Sequence, residues 1–128
     1  MKFADCQKWC DKNIKRLQAK VGIPHWKITI ELENIGNGAA GMCYALADYE
    51  RATIDIDPHQ VENEEMLEEI LTHELLHICH APFTVMREAL LEALKNESEA
   101  TRSLVSSLYS TAAERTVKNL ERLLAANA

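Results

Sequence analysis

The segment LTHELLHICH, residues 71–80, decides how this chain is read. It sets three histidines, a glutamate and a cysteine among Leu71, Leu75, Leu76 and Ile78, residues that belong in the interior of a helix. Polar side chains in such a stretch need partners that compensate their burial. His73-Glu74-Leu75-Leu76-His77 has the His-Glu-x-x-His spacing. Residues i and i+4 of a helix lie one turn apart on one face, so two imidazoles placed this way can reach a single metal ion. Glu74 projects about 100° round the axis from His73, close to the metal but off the line of its ligands. A carboxylate there can take a proton from an attacking water.

The wheel of the surrounding helix supports this placement. Leu67, Leu71 and Ile78 share the arc of Glu74, at about 100–160° from His73, whereas Glu65, Glu68 and Thr72 lie on the opposite side. His73 and His77 fall on the seam, held by the core and open to water. His80 is nearly on the same face but about 10 Å along the axis from His73, too far for one ion; it is a rim residue. Cys79 faces away and reads as packing. A catalytic zinc usually takes three protein ligands and a water, so a third ligand is needed. Glu88, Glu92, Glu97, Glu99, Glu114 and Cys43 are the candidates. Glu88 and Glu92 follow closely on Pro82 with little room to swing back, and a glutamate on a later antiparallel helix is the natural donor.

Outward from this centre, the helical pattern runs from about residue 61 to 81 and stops at Pro82. Glu62, Glu64 and Glu65 sit in its first turns, where the helix dipole favours negative charge. Before it, Ala52 to Ile56 form a short strand, ended by Asp57-Pro58, which opens the helix. A further strand is expected over residues 41–47, after the turn Gly36-Asn37-Gly38. Trp26, Ile28, Ile30 and Leu32 alternate with polar residues and predict a half-buried strand. Phe3, Cys6, Cys10, Ile14, Leu17 and Val21 recur at three- and four-residue steps, one face of a first helix that Gly22 and Pro24 end. Downstream, helices are expected near 83–95 and 98–126. Thr111 and Glu114 have capping-box spacing, which predicts a break near Ser110. The expected architecture is α+β: an N-terminal helix, a small three-stranded sheet, the metal helix and C-terminal helices, in a single domain over residues 1–128.

Composition bounds the setting. With 128 residues, 47% hydrophobic and 27% charged, the chain can build one core. No apolar run approaches the roughly 20 residues of a membrane span, and MKFADCQKWCDK does not read as a signal peptide. A cytoplasmic protein is expected. The net charge of −6 is uneven. Residues 1–30 carry seven Lys/Arg against two Asp, while residues 31–128 carry seven against eighteen acidic groups. The basic first helix is a possible protein-binding face, with a solvated surface as the simpler reading and nucleic acid disfavoured. Without a secretion signal the four cysteines predict no disulfide framework. Cys6 and Cys10, one turn apart on the apolar stripe, read as packing rather than half a metal site.

HELLH within LTHELLHICHAP, the preceding ATIDIDP and the tail AERTVKNLERLL together resemble small phage-encoded, zincin-like metallopeptidases of gluzincin type. The resemblance covers roughly residues 50–125. It implies a zincin-like fold, His73 and His77 as zinc ligands, and Glu74 as general base. It also implies Glu114 as third ligand, with Glu97 and Glu99 as the fallback. It further implies that an extended peptide pairs with the strand Ala52 to Ile56. Tyr44, Tyr109 and His80 are candidates to stabilise the oxyanion. The expected function is hydrolysis of peptide bonds by a zinc metallopeptidase acting on a peptide or protein substrate. One alternative is a non-catalytic, zinc-stabilised module that binds a partner. Another is a metallohydrolase similar to peptide deformylases, with Cys43 of Gly41-Met42-Cys43-Tyr44 as the third ligand.

Overall fold

The computed structural model describes residues 1–126. The fold is α+β, with four helices and a small three-stranded mixed sheet among the described residues. They fall into two compact units, one of Met1–Cys79 and one that begins at His80. The expected domain over 1–128 runs on into residues 127 and 128, which lie outside the described residues.

The first unit opens with helix α1, Phe3–Lys20. Cys6, Cys10 and Leu17 of its apolar stripe are fully buried, while Phe3 at the helix start is largely exposed. Lys8, Lys12 and Lys15 face solvent. Gly22 ends the helix with φ +85°, a conformation that only glycine adopts cheaply. Gln18 was invisible to the periodicity because it is polar, yet it is buried on the core side. Its side-chain NH2 donates to the carbonyls of Ile23 at 3.2 Å and Trp26 at 2.8 Å. This ties the turn after α1 to the start of the first strand; losing the donor would take a partner from the Trp26 carbonyl, at roughly 1–3 kcal/mol, while the Ile23 carbonyl keeps the Trp26 N–H.

Strands β1 (Lys27–Leu32), β2 (Gly41–Leu46) and β3 (Arg51–Ile56) follow. They lie in the order β1-β3-β2, with β1 parallel and β2 antiparallel to β3. β2 and β3 form a hairpin through a short 3-10 turn, Ala47–Tyr49, and Glu50 in the left-handed region at φ 49°. Ala52, Ile54 and Ile56 point into the core, in register with Ile28, Ile30 and Leu32. The central place of β3 corrects one expectation. Both its edges are occupied, so Ala52 to Ile56 has no main-chain groups to offer an extended peptide. Among the described residues the edge strands are β1 and β2, and β2 is the one that the helix Glu64–Cys79 packs against.

Helix α2 spans Glu64–Cys79, shorter at both ends than the expected 61–81. Asp57-Pro58 opens a separate 3-10 turn, Pro58–Gln60, in which the Asp57 carboxylate accepts from the His59 N–H. Asn63 starts α2: its side-chain oxygen accepts from the Met66 N–H at 2.8 Å and its carbonyl from Leu67. α2 packs on β2, β3 and α1, burying Leu67, Leu71, Leu75 and Ile78. Arg16 of α1 pairs with Glu68 of α2, and the Cys79 thiol donates to the Val21 carbonyl at 3.6 Å.

The second unit holds α3 (Ala81–Ala93) and α4 (Glu99–Ala126). Pro82 does not terminate α2; it lies in the first turn of α3, where a missing N–H costs nothing. The chain breaks two residues earlier, at His80, whose carbonyl accepts from Phe83 and Thr84. α4 is one uninterrupted helix, against the expected break near Ser110. The start signal lies at Ser98, whose hydroxyl accepts from the Thr101 N–H at 3.1 Å. The Thr111–Glu114 spacing is passed over because no Gly or Pro interrupts the backbone bonding there. Within the unit, the Thr84 and Tyr109 hydroxyls lie 3.3 Å apart and Arg87 stacks over the Tyr109 ring. No described helix is long and apolar enough to cross a membrane.

Candidate metal centre

The first unit places His73, Glu74 and His77 together near the end of α2. The imidazole Nε2 atoms of His73 and His77 face each other at 3.1 Å, with ring centroids 4.8 Å apart. Two nitrogens bound to one tetrahedral zinc at about 2.0–2.1 Å stand roughly 3.3 Å apart. The separation of the two nitrogens is therefore close to what a shared cation needs. Both histidines are half-buried, as expected for the seam.

Glu74 is only 8% exposed, although it is a carboxylate on an otherwise leucine-rich face. A group of that charge is rarely buried so deeply without a specific use or partner. Its place is set by β2. Gly41, the first residue of that strand, comes so close to α2 that a β-carbon there would lie 3.2 Å from both Cγ and Oε1 of Glu74. It would lie 2.9 Å from Cγ2 of Ile70. Gly41 was read from the sequence only as the start of a strand. A glycine inside a strand marks close backbone approach, and that was the signal available.

The other candidates fare differently. Cys43 lies on β2 on the face that carries Gly41, toward α2, and the grouping of His73 and His77 found among the described residues does not include it. Tyr44 alternates onto the opposite sheet face and is 60% exposed, so it points away from the α2 histidines and is not their oxyanion partner. Cys79 packs, as expected, and burial pushes its thiol pKa up. Of the residues in the second unit, Glu88 and Glu92 lie on α3, with Glu92 paired to Lys95 at 3.2 Å. Glu97 sits in the turn before α4, its N–H donating to Leu94. Glu99 opens α4 and Glu114 lies midway along it on an exposed position. His80 caps α3, and Tyr109 is engaged with Thr84.

Cys6 and Cys10 are fully buried in the apolar stripe of α1. Burial, reinforced by the neighbouring Cys6 thiol, pushes Cys10 from 9.0 up to about 12, and burial raises Cys6 as well. Both stay neutral thiols near pH 7, as buried packing residues do. The folded-state pKa of Cys10 is raised, so its contribution to stability is complete below about pH 9 and is lost as pH rises toward 12. Stability from this group is expected to fall as pH rises through that window. Urea melts of the wild type and Cys10→Ala at pH 8 and 10.5 check this: the alkaline loss should be smaller in the variant.

No family model, curated protein or solved structure matches the chain.

Proposed function

We propose that this chain is a zinc-dependent metallopeptidase with a zincin-like, gluzincin-type site. His73 and His77 hold the metal, Glu114 of the second unit is the third ligand, and Glu74 is the general base. The observation that carries the reading is the 3.1 Å approach of the two Nε2 atoms beside a buried carboxylate one residue along. The three proposed ligands offer two imidazole nitrogens and a carboxylate oxygen, a donor set that suits zinc. Bound zinc supplies Lewis acidity, bringing a water to a pKa of about 7 and polarising a carbonyl oxygen.

The remaining work falls to the chain itself. Glu74 takes a proton from the attacking water and delivers it to the departing amine. Its burial keeps the carboxylate from wandering and removes competing bulk water. The edge of β2 is where an extended peptide would add. The Asp57 N–H donates to the Ala40 carbonyl, so the alternation of the antiparallel ladder turns the main-chain groups of Gly41, Cys43 and Ala45 away from β3. A peptide pairing there gains main-chain hydrogen bonds with little demand on its sequence, and it lies on the strand that adjoins Glu74.

A glutamate beside the ligands favours catalysis over a purely structural zinc, which has no use for a buried base. The test is metal analysis of the purified protein together with cleavage of a peptide library before and after chelation. One zinc per chain, and cleavage that chelation abolishes and zinc restores, are expected. Cleavage untouched by chelation, or a protein that takes up no divalent metal, would overturn the proposal.

A further inference from the structure

We infer that Gly41 is a positioning residue for the Glu74 carboxylate, an inference that rests on the reading of Glu74 as general base. β2 lies directly against α2 at this point, and the volume that any other residue would fill with a β-carbon is occupied by Cγ and Oε1 of Glu74, both 3.2 Å from that position, and by Cγ2 of Ile70 at 2.9 Å. Gly41 does not need glycine for its backbone angles: it is not among the positive-φ glycines, which are Gly22, Gly36 and Gly38. Those three have open space where a β-carbon would go. Gly41 alone lacks a side chain for reasons of room, and the room is taken up by the proposed base.

The consequence is directional. A glutamate side chain has three rotatable bonds and, on an open helix face, samples many rotamers. The strand backbone limits it to those that fit the slot. The Glu74 carboxylate lies against the β2 backbone at Gly41, and a side chain at residue 41 would push it out of that position. A methyl group at residue 41 meets two neighbours. Ile70 is stiff because it branches at Cβ, but its Cγ2 can be removed by truncation; Glu74 can only move. Displacing a reacting group by about 1 Å can cost as much as 10²-fold in rate.

The test compares the full chain as wild type, Gly41→Ala, Ile70→Ala and Gly41→Ala/Ile70→Ala. The double variant removes the tightest contact, so the fold survives even if Gly41→Ala alone is too crowded. Proton NMR of the metal-free proteins reads the contact between the residue 41 Hα and the Glu74 Hγ protons, and the Glu74 χ1 populations. Cobalt uptake reports on the histidine pair, and kcat and KM are measured on a peptide that the wild type cleaves. In the double variant, relative to Ile70→Ala, the Glu74 χ1 populations should change, cobalt uptake should stay the same, and kcat should fall about 10–100-fold with KM nearly constant. Unchanged χ1 populations, or unchanged kcat, would overturn the inference. Should the wild type bind no metal and cleave nothing, the peptidase reading fails by itself, and the NMR comparison still decides whether Gly41 sets the Glu74 side chain.

Discussion

Glu74→Gln is expected to lower peptide hydrolysis by about 10²–10⁴-fold, the usual share of a general base, while bound zinc stays at the wild-type level. Glutamine keeps the size and shape of the side chain, so it fits the slot beside Gly41 and Ile70 that the glutamate occupies. It removes only the ability to take up a proton. The informative measurement is a pair of values on one preparation: metal content and cleavage rate. Full metal with lost cleavage assigns the base. Full metal with undiminished cleavage removes Glu74 from the chemistry. In the alternative of a zinc-stabilised binding module, the variant would be indistinguishable from the wild type in partner binding.

His77→Ala should act earlier in the sequence of events, on metal retention. Zinc binding of about 10–16 kcal/mol spread over four ligands is roughly 3 kcal/mol per ligand, so losing one imidazole weakens retention by on the order of 10²-fold or more. The purified variant should carry little zinc and show no cleavage. Its far-UV dichroism should match the metal-free wild type, because His77 lies on the seam of α2 and contributes little to the Leu67–Leu71–Leu75–Ile78 core. A second readout is independent of activity. Added zinc raises the melting temperature of any form that binds it in the native state only, and that rise should vanish in His77→Ala. Glu114→Ala is expected to weaken the same response. Zinc contents equal to the wild type in both variants would remove the ligand assignment.

The element content was legible because it rests on short-range periodicity. Cys6, Cys10 and Leu17 recur at helical steps and are buried; Ile28, Ile30 and Leu32 alternate and line one sheet face. The seam position of His73 and His77 followed from the same 3.6-residue geometry. Helix ends were read less well. Asn63 and Ser98 carry the caps, whereas Pro58 and Pro82 had been given stopping and starting roles that shifted by a few residues. Capping depends on which of several competent side chains meets a free N–H, and spacing alone does not choose among Ser98, Ser110 and Thr111.

Sequence by itself determined that one helix carries two imidazoles a turn apart with a carboxylate on its buried side, since these relations depend only on the helical repeat. Tertiary structure alone decided that β3 lies between its two neighbours, that β2 is an edge strand packed on α2, and that Gly41 presses its backbone against Glu74. Side-chain alternation fixes which face of a strand is wet but carries no information about which strand stands beside it. That choice is made by packing between residues distant along the chain, where the absence of one methyl group at residue 41 matters as much as any side chain present.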